Sequence, residues 1–149
     1  MSASDNKAVM DRMNAVLEGG DLNELDEICT PDFMNHALVP RLREKGLAGT
    51  KEFLSAGAAS SLGGRKDNGK STWLERWVVA EGDLVVEYGT REGSWPGGTF
   101  RGVDIPPGPY TRDVAFMYRF VDGRIAERWA IRDDLGMMIQ LGAIGSARK

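Results

Sequence analysis

Apolar and polar residues alternate most regularly near the C-terminal end of the chain, on both sides of the pair Asp122-Gly123. The runs 113–121 and 124–134 are rich in β-branched and aromatic residues, and an Asp-Gly pair between two such runs is typical of a tight β-hairpin. A two-residue loop fixes which residues face each other across the two strands. The predicted pairs are Val121–Arg124, Phe120–Ile125, Tyr118–Glu127, Phe116–Trp129, Val114–Ile131 and Arg112–Asp133.

These pairs also sort the hairpin side chains into two faces, because strand residues alternate between faces. One predicted face is mainly apolar but holds two acids, Glu127 and Asp133. An acid on an apolar face has to be paired, hydrogen-bonded or neutralised; the expected partners are Tyr118 for Glu127 and Arg112 for Asp133. The opposite face is predicted to lie at the surface or in a subunit interface, and it carries Ala115, Met117, Arg119, Arg124, Ala126, Arg128, Ala130 and Arg132.

A second hairpin is predicted upstream, with strands over 72–80 and 84–90 joined by the turn Glu81-Gly82-Asp83. It places Trp77 opposite Tyr88 and Val79 opposite Val86. The face that these residues share also carries Trp73 and Glu75, and it is expected to line an apolar pocket. Glycines at 93, 97, 98 and 102 predict a bent region around Trp95 and Phe100, and the prolines of 105–109 predict a loop.

The N-terminal half has the 3.6-residue period of helices. A first helix is expected from Ser4 or Asp5 to the pair Gly19-Gly20, a second short helix follows a cap at Asp21, and a third is expected over 51–60. Residues 32–36 read as an extended segment, and 135–141 as a short terminal helix. Helices followed by consecutive antiparallel strands predict a single α+β domain over 1–149. We expect a strongly curved, cone-shaped sheet wrapped by the N-terminal helices, with an apolar pocket inside.

Composition limits the chemistry of this domain. The chain has 149 residues, a formal net charge of −3, one cysteine and one histidine. Cys29 alone excludes an internal disulfide and a cysteine zinc site, and His36 alone excludes a multi-histidine metal site within one chain. No basic patch indicates nucleic acid binding, and no apolar run is long enough to cross a bilayer. The N-terminal residues show no secretion signal, so a cytoplasmic location is expected.

The polar segment 61–71 is glycine-rich and is predicted to be an exposed loop. Its last eight residues, 64–71, match the GxxxxGK[ST] pattern of a phosphate-binding loop. That pattern needs a buried strand before it and a helix after it. A Ser- and Gly-rich tract precedes this match and a Trp- and Val-rich strand follows it, so the sequence context argues against phosphate binding.

Several segments resemble the SnoaL-like polyketide cyclases of the nuclear transport factor 2-like (cystatin-like) superfamily of cone-shaped α+β proteins. They are Glu81-Gly82-Asp83-Leu84-Val85-Val86, the stretch 98–107 with Ile105-Pro106-Pro107, the stretch 122–129, and Asp133 followed by Gln140-Leu141-Gly142. Two pieces differ from the family pattern. Loop 61–71 replaces a usual Phe-Pro-Asp stretch, and Gly93-Ser94-Trp95 replaces a usual Gly-Thr-His segment.

The resemblance implies an enzyme without cofactor or metal that closes a ring of a bulky, polycyclic or aromatic small molecule by intramolecular aldol condensation. By position, Asp133 would be the acid/base. His36 would bind or polarise the substrate carbonyl, with Asn35 beside it. The other residues predicted to contact substrate are Trp73, Trp77, Tyr88, Trp95, Arg112, Phe116, Tyr118, Glu127 and Trp129.

Each of these residues also has a structural interpretation. Asp133 could bind Arg112 or cap the terminal helix, Glu127 could be a buried structural acid, and the tryptophans could be core residues. A related branch of the superfamily hydrolyses epoxides with an Asp-Arg-Asp cluster, of which Arg112 and Asp133 could supply two members. A non-catalytic ligand-binding or dimerisation module is a further alternative. A homodimer or homotetramer is expected.

Overall fold

The computed structural model describes residues 2–55, 71–100 and 102–145. Its helices are α1 (Ala3–Leu17), α2 (Glu24–Ile28), α3 (Pro40–Arg43), α4 (Leu47–Ser55) and α5 (Asp134–Gln140). Its strands are β1 (Cys29–Asn35), β2 (Thr72–Glu81), β3 (Leu84–Trp95), β4 (Gly98–Phe100), β5 (Val103–Ile105), β6 (Gly108–Val121) and β7 (Arg124–Arg132). The predicted loop 61–71 and the end of the predicted third helix, 56–60, lie outside the described residues, apart from Ser71.

Five of the described strands form one open sheet in the order β1-β7-β6-β3-β2, and β4 pairs with β5 in a small second sheet. Strand β1 runs parallel to β7, and the other pairs are antiparallel. The α+β class, with N-terminal helices before the strands of a mixed sheet, is confirmed. None of the described helices is long and apolar enough to cross a membrane.

Helix α1 covers one face of this sheet. It begins at Ser2, whose hydroxyl accepts the Asp5 amide while the Asp5 carboxylate accepts the Ser2 amide, so the cap lies earlier than the predicted Ser4 or Asp5. Gly19, at φ 116°, follows its end as predicted. The face of the helix turned toward the sheet is buried and carries Met10, Met13 and Val16.

We call the side of the large sheet that α1 covers the inner face. Its buried residues include Val85 and Glu87 on β3 and Val114, Phe116 and Tyr118 on β6. They form one apolar cluster with Met10, Met13 and Val16 of α1, Leu25, Ile28, Cys29, Phe33, Leu54, Phe120 and Ile125, while Glu87 is the acid among them. Burying each large apolar side chain stabilises the fold by roughly 1.5–3 kcal/mol.

The β6–β7 hairpin turns at the predicted loop. Asp122 and Gly123 have φ angles of 49° and 79°, which is the left-handed backbone of a type I′ turn. The first two pairs, Val121–Arg124 and Phe120–Ile125, are confirmed. A bulge then shifts the register between Phe120 and Arg119, and Ala126 is the extra residue.

Beyond the bulge the predicted pairs are wrong by one residue. The observed pairs are Arg119–Glu127, Tyr118–Arg128, Met117–Trp129, Phe116–Ala130, Ala115–Ile131 and Val114–Arg132. A shift of one residue moves every later side chain of β7 to the other face. Arg128 and Arg132 therefore lie on the inner face, whereas Glu127, Trp129 and Ile131 lie on the opposite side, which we call the outer face.

In the β2–β3 hairpin the pairs Trp77–Tyr88 and Val79–Val86 are confirmed. The face assignment was wrong, because this face is the outer one: 55% of Trp77 and 64% of Val79 are exposed. A register shift between Trp73 and Glu75 puts Trp73 opposite Arg91 on the inner face. The irregularity needs Gly89, because a Cβ there would lie 2.0 Å from the Glu75 carbonyl oxygen.

The end of β7 also differs from the predicted pairing. Arg112 faces Arg91 on β3, and its guanidinium binds Asp134 rather than Asp133, at 3.1 Å. The amide of Asp133 donates to the Asp113 carbonyl, and its carboxylate accepts the Gly136 amide at 2.9 Å to cap α5. Asp133 is exposed, so of its two structural interpretations the helix cap is the one observed.

Candidate functional site

The inner face holds a buried carboxylate at its centre, Glu87 on β3. Its side chain is completely inaccessible to solvent. Arg76 on β2 donates to it from Nε at 2.7 Å and approaches from Nη2 at 2.6 Å. Asn14 on α1 donates its side-chain amide to both carboxylate oxygens at 3.2 Å. A buried charge is tolerated when it is paired and hydrogen-bonded, and these bonds also fix α1 to the sheet.

The hydrogen-bonded chain continues from Asn14 to Tyr118 on β6. The Tyr118 hydroxyl donates to Asn14 Oδ1 at 3.3 Å and accepts from Arg128 Nε at 3.3 Å. Tyr118 is fully buried, and burial raises the pKa of its phenol although the neighbouring Arg128 lowers it. The phenol is therefore neutral at ordinary pH and acts as a hydrogen-bond donor inside the fold.

Three arginines lie along the part of the inner face formed by β6 and β7, and Arg128 of the hydrogen-bonded chain is one of them. The guanidinium carbon of Arg128 lies 4.9 Å from the centre of the Phe116 ring, and that of Arg132 lies 5.2 Å from the same ring. Arg112 lies 5.7 Å from the Tyr110 ring and binds Asp134. Burial, then the charges of Arg128 and Arg112, lower the pKa of Arg132 to about 9, so this side chain still carries its proton at neutral pH.

Of the predicted substrate contacts, Phe116, Tyr118, Arg112 and Trp73 lie on the inner face. Trp73 is half-buried, and the guanidinium carbon of Arg91 lies 4.5 Å from the centre of its ring. Trp95 belongs to a separate apolar cluster and donates its indole N–H to the Ile105 carbonyl at 3.0 Å. The other buried members of that cluster are Phe100, Ile105, Tyr110, Met137, Met138 and Leu141.

His36, Glu127 and Trp129 are brought together on the outer face. The imidazole of His36 stacks on Trp129 at a centroid distance of 4.8 Å, and its Nε2 lies 3.0 Å from Glu127 Oε1. Arg119 also binds Glu127, so Arg119 and then His36 lower the pKa of this carboxyl. The predicted partner Tyr118 is therefore wrong for Glu127. Asn35 is buried and accepts the Ala37 amide at 3.1 Å.

Trp77 and Tyr88 also lie on the outer face, stacked at a centroid distance of 5.6 Å. Tyr88 borders an open depression of about 200 Å³ near the end of β7, lined further by Asp113, Val114, Ala115, Ile131, Arg132 and Asp133. Of the two predicted catalytic residues, His36 thus lies beside Trp129, and Asp133 lies at the end of β7. Of the two consecutive aspartates there, Asp134 is the one that binds an inner-face arginine.

The sequence analysis missed the inner-face groups Asn14, Arg76, Glu87, Arg128 and Arg132. Glu87 had a visible signal, since it alternates with Val85 on one side of a strand. Arg128 and Arg132 were assigned to the wrong face, because the bulge in β7 has no clear signature in the residues around Ala126. Asn14 gave no signal beyond its place on a helix that faces the sheet.

Comparisons with known proteins agree with this architecture. The family model of the SnoaL-like polyketide cyclases matches residues 7–141. No match was found among curated protein sequences.

Several solved structures share the fold over nearly the whole chain. TsrD from Streptomyces laurentii is 23% identical, with a TM-score of 0.71 over 97% of this chain and 99% of that one. IdmH from Streptomyces antibioticus, named as a candidate polyketide cyclase, is 26% identical, with a TM-score of 0.67 over 92% and 98%. A candidate SnoaL-like polyketide cyclase from Jannaschia sp. CCS1 is 20% identical, with a TM-score of 0.71 over 95% and 94%.

The matched model runs from within α1 past the end of α5, and the structural neighbours repeat the same arrangement of helices and mixed sheet. The chain belongs to the SnoaL-like polyketide cyclase family.

Proposed function

We propose that this protein is a cofactor-independent cyclase or isomerase that forms an enolate on a bulky aromatic ketone and closes a ring by an aldol-type step. The observation that carries the proposal is the composition of the inner face. Phe116 and Tyr118 lie there in one apolar cluster against which Trp73 packs, and the guanidinium of Arg128, which donates its Nε–H to Tyr118, lies beside the Phe116 ring. Ligand sites of this kind are mainly apolar with a few convergent polar groups.

The chemistry asks little of the protein beyond position and a base. A proton next to the ketone is removed, the enolate carbon attacks a second carbonyl of the same molecule, and the alkoxide that forms takes up a proton. Conjugation with the aromatic rings stabilises the enolate. Holding both carbonyl groups at near-bonding distance lowers the barrier to ring closure, because freedom of motion is lost on binding and not during the reaction. The family membership and the naming of IdmH as a candidate cyclase support this reaction class.

The proposed proton acceptor is Asp133, because the family's acid/base aspartate falls at this position. Asp134 is its natural competitor, since its carboxylate binds Arg112 on the inner face at 3.1 Å. His36 stays the proposed group for orienting the carbonyl. In that role the substrate would have to reach the Trp129 side of the sheet, where the imidazole stacks.

The two aspartates form a matched pair for an experiment that needs no knowledge of the natural substrate. The probe is 1-tetralone, an aromatic ketone whose α-hydrogens exchange with deuterium from D₂O, followed by NMR. We expect the wild-type protein to accelerate exchange and Asp133→Asn to lose about a hundredfold of that acceleration, the usual effect of one positioned acid/base.

Each other result has a definite meaning. Loss in Asp134→Asn alone would remove Asp133 from the mechanism and assign the base to Asp134. Equal exchange in the wild type, both variants and buffer would contradict the enzymatic proposal and favour a binding module. Circular dichroism and melting temperature of each variant check that the fold is intact.

A second candidate reaction is epoxide hydrolysis, favoured by the ion pair between Arg112 and Asp134. In this reaction water adds to an epoxide carbon, so the diol product carries one oxygen from solvent. Styrene oxide incubated with the protein in ¹⁸O-water should give labelled diol faster than in buffer if this candidate is correct. No acceleration, together with exchange of the tetralone, would exclude it.

Self-association through the outer face is part of the same proposal. The exposed fractions of Trp77, Val79 and Ile131 are 55%, 64% and 74%, and Tyr88, Met117 and Trp129 join them in one apolar band. Exposed apolar patches of this kind mark interaction sites. A second copy is the simplest occupant, because a twofold axis brings the same patch against itself. A single 16 kDa species in sedimentation at micromolar concentration would contradict it.

A further inference from the structure

We infer that Arg128 and Arg132 form a binding site for a carboxylate carried by an aromatic ligand on the inner face. The site goes beyond the proposed reaction, because it concerns recognition of a permanent negative charge and can be tested without turnover.

The geometry of β7 makes the two guanidinium groups converge. Phe116 on β6 faces Ala130, the residue midway between the two arginines. The alanine side chain is a single methyl group, so both long side chains can lean over the Phe116 ring. Their guanidinium carbons lie 4.9 Å and 5.2 Å from the centre of that ring. One aromatic ring thus supports two positive charges.

The acids near these arginines are engaged elsewhere. Asp134 binds Arg112, Glu87 binds Arg76 and Asn14, and Asp133 caps α5. Asp113 accepts a hydrogen bond from Thr90 at 2.7 Å. Within residues 2–55, 71–100 and 102–145, no carboxylate lies within ion-pair distance of Arg128 or Arg132. Buried charges in folded proteins are ordinarily paired. Asp134 is the acid whose charge acts on Arg132, and it is shared with Arg112, so the positive charge of these guanidinium groups exceeds the nearby negative charge and calls for an anion.

The donors that remain suit a carboxylate. Arg128 uses Nε for the Tyr118 hydroxyl at 3.3 Å, and its terminal nitrogens bond no other described residue. The side chain of Arg132 is half-buried and bonds none of the described residues either. Guanidinium groups match the planar, two-oxygen shape of a carboxylate. The Phe116 ring, over which both guanidinium groups lie, supplies the apolar surface that an aromatic ligand needs.

Charge repulsion supports the same conclusion. Burial and the neighbouring Arg128 and Arg112 lower the pKa of Arg132, which means that its positive charge is held at a cost in the free protein. A bound anion would remove that cost, so binding of the ligand should be stronger at neutral pH than above the lowered pKa of Arg132.

The experiment compares 2-naphthoate with 2-naphthamide, a neutral ligand of nearly the same shape, by isothermal titration calorimetry. We expect the carboxylate to bind at least ~10-fold more tightly, as one or two charge-assisted hydrogen bonds would give. Arg132→Met should remove this preference and leave the amide affinity unchanged. Arg132→Lys should retain part of it. The matched control is Arg124→Met, an exposed arginine of the same strand, which should bind both ligands as the wild type does.

Three results would overturn the inference. The two ligands could bind equally, Arg132→Met could keep the preference for the carboxylate, or Arg124→Met could lose it as fully as Arg132→Met does. Competition by acetate as strong as by 2-naphthoate would overturn the aromatic part, since acetate lacks the ring. The binding result is independent of the proton-exchange test, so failure of one proposal leaves the other standing.

Discussion

The two faces of the large sheet have exchanged the characters that a sheet face usually shows. The inner face is buried, yet it carries Glu87, Arg112 and Arg128 among its aromatic rings. The outer face is open, yet it carries Trp77, Val79 and Ile131. In an ordinary two-layer domain the charged residues would face water and the apolar residues would face the helices. The exchange is the basis of the two proposals made above, a ligand on the inner face and a second copy of the chain on the outer face.

The largest loss of stability is expected when the buried ion pair of the inner face is broken. Arg76→Met leaves Glu87 buried with only the Asn14 amide as a partner. Breaking a buried pair from one side costs about 3–5 kcal/mol, and we expect a loss near ~3 kcal/mol because Arg76 itself is partly exposed. Urea denaturation measures the free energy of unfolding.

The control for that change is Arg12→Met, which removes an exposed ion pair with Glu24 and Glu27. Such an exposed pair contributes little, because water and salt screen the charges. Equal losses in the two variants would mean that Glu87 is not the buried, paired acid described above.

On the outer face, Trp77→Glu should convert the proposed dimer to monomer. A charge in the middle of an apolar interface loses its hydration without gaining a partner, whereas the same residue is exposed in the single chain. We expect the weight-average mass at micromolar concentration to fall by about half, with little change in the melting temperature measured at low concentration.

Ile131→Glu, three strands away on the same face, should act in the same way. Glu44→Gln, an exposed change far from the sheet, serves as the control. Association that survives both Trp77→Glu and Ile131→Glu would place the interface elsewhere.

Arg132→Met should stabilise the free protein. The folded-state pKa of Arg132 is lowered to about 9, well below the ordinary value of an arginine, so its charge is unfavourable in the fold whenever the side chain is protonated. Replacement of a poorly compensated buried charge by an apolar side chain commonly gains about 1 kcal/mol or more. A lower stability of the free protein is expected where a charged side chain is retained for ligand binding.

The sign of its pH dependence follows from proton linkage. At neutral pH both the folded and the unfolded state carry the proton, and the wild type bears the full penalty. Between about pH 9 and the ordinary pKa of an arginine, the folded state releases its proton first, so the stability of the wild type rises relative to that of the variant. Melting temperatures at pH 7 and pH 10 check this, and a difference that grows with pH would contradict it.

The smallest effect concerns Glu127 on the outer face. Arg119 and His36 lower its pKa below the ordinary 4.5, so its contribution is present above that value and is lost as the pH falls through the lowered pKa. Glu127→Gln should cost at most about 1 kcal/mol at pH 7 and less at pH 3. Thermal melts at the two pH values measure the difference, and an equal loss at both would rule out the ion pair as its source.

The sequence predicted most of the fold. The type I′ turn follows from Asp122-Gly123, the Trp77–Tyr88 and Val79–Val86 pairs follow from a short turn, and α1 follows from its apolar period. The face assignments failed for two physical reasons. A bulge inserts one residue at Ala126 and reverses all later side chains of β7, and no residue type marks such a bulge from the sequence. In addition, the face of β2 that carries Trp77 and Val79 was predicted to be buried. Apolar side chains are usually buried within a single chain, and an exposed apolar face is expected only where another molecule covers it.

The candidate site was predictable only in part. Alternation placed Phe116, Tyr118 and Arg112 correctly on one face. Trp73 was grouped with Trp77 and reaches the inner face only through the register shift in β2, and Arg128 and Arg132 were assigned to the wrong face because of the shift in β7. The family resemblance supplied Asp133 and His36 by position. Its catalytic assignments remain predictions, because the structure has His36 stacked on Trp129 and Asp133 at the cap of α5.

The assignment of side chains to the two faces depends on the register of β6 and β7 beyond the bulge. Cross-strand nuclear Overhauser effects between backbone protons measure that register directly, because facing residues lie close together in antiparallel strands. The structure predicts contacts between Met117 and Trp129 and between Tyr118 and Arg128. Contacts between Phe116 and Trp129 and between Tyr118 and Glu127 would contradict it, and they would return Asp133 to the inner face and both arginines to the outer one.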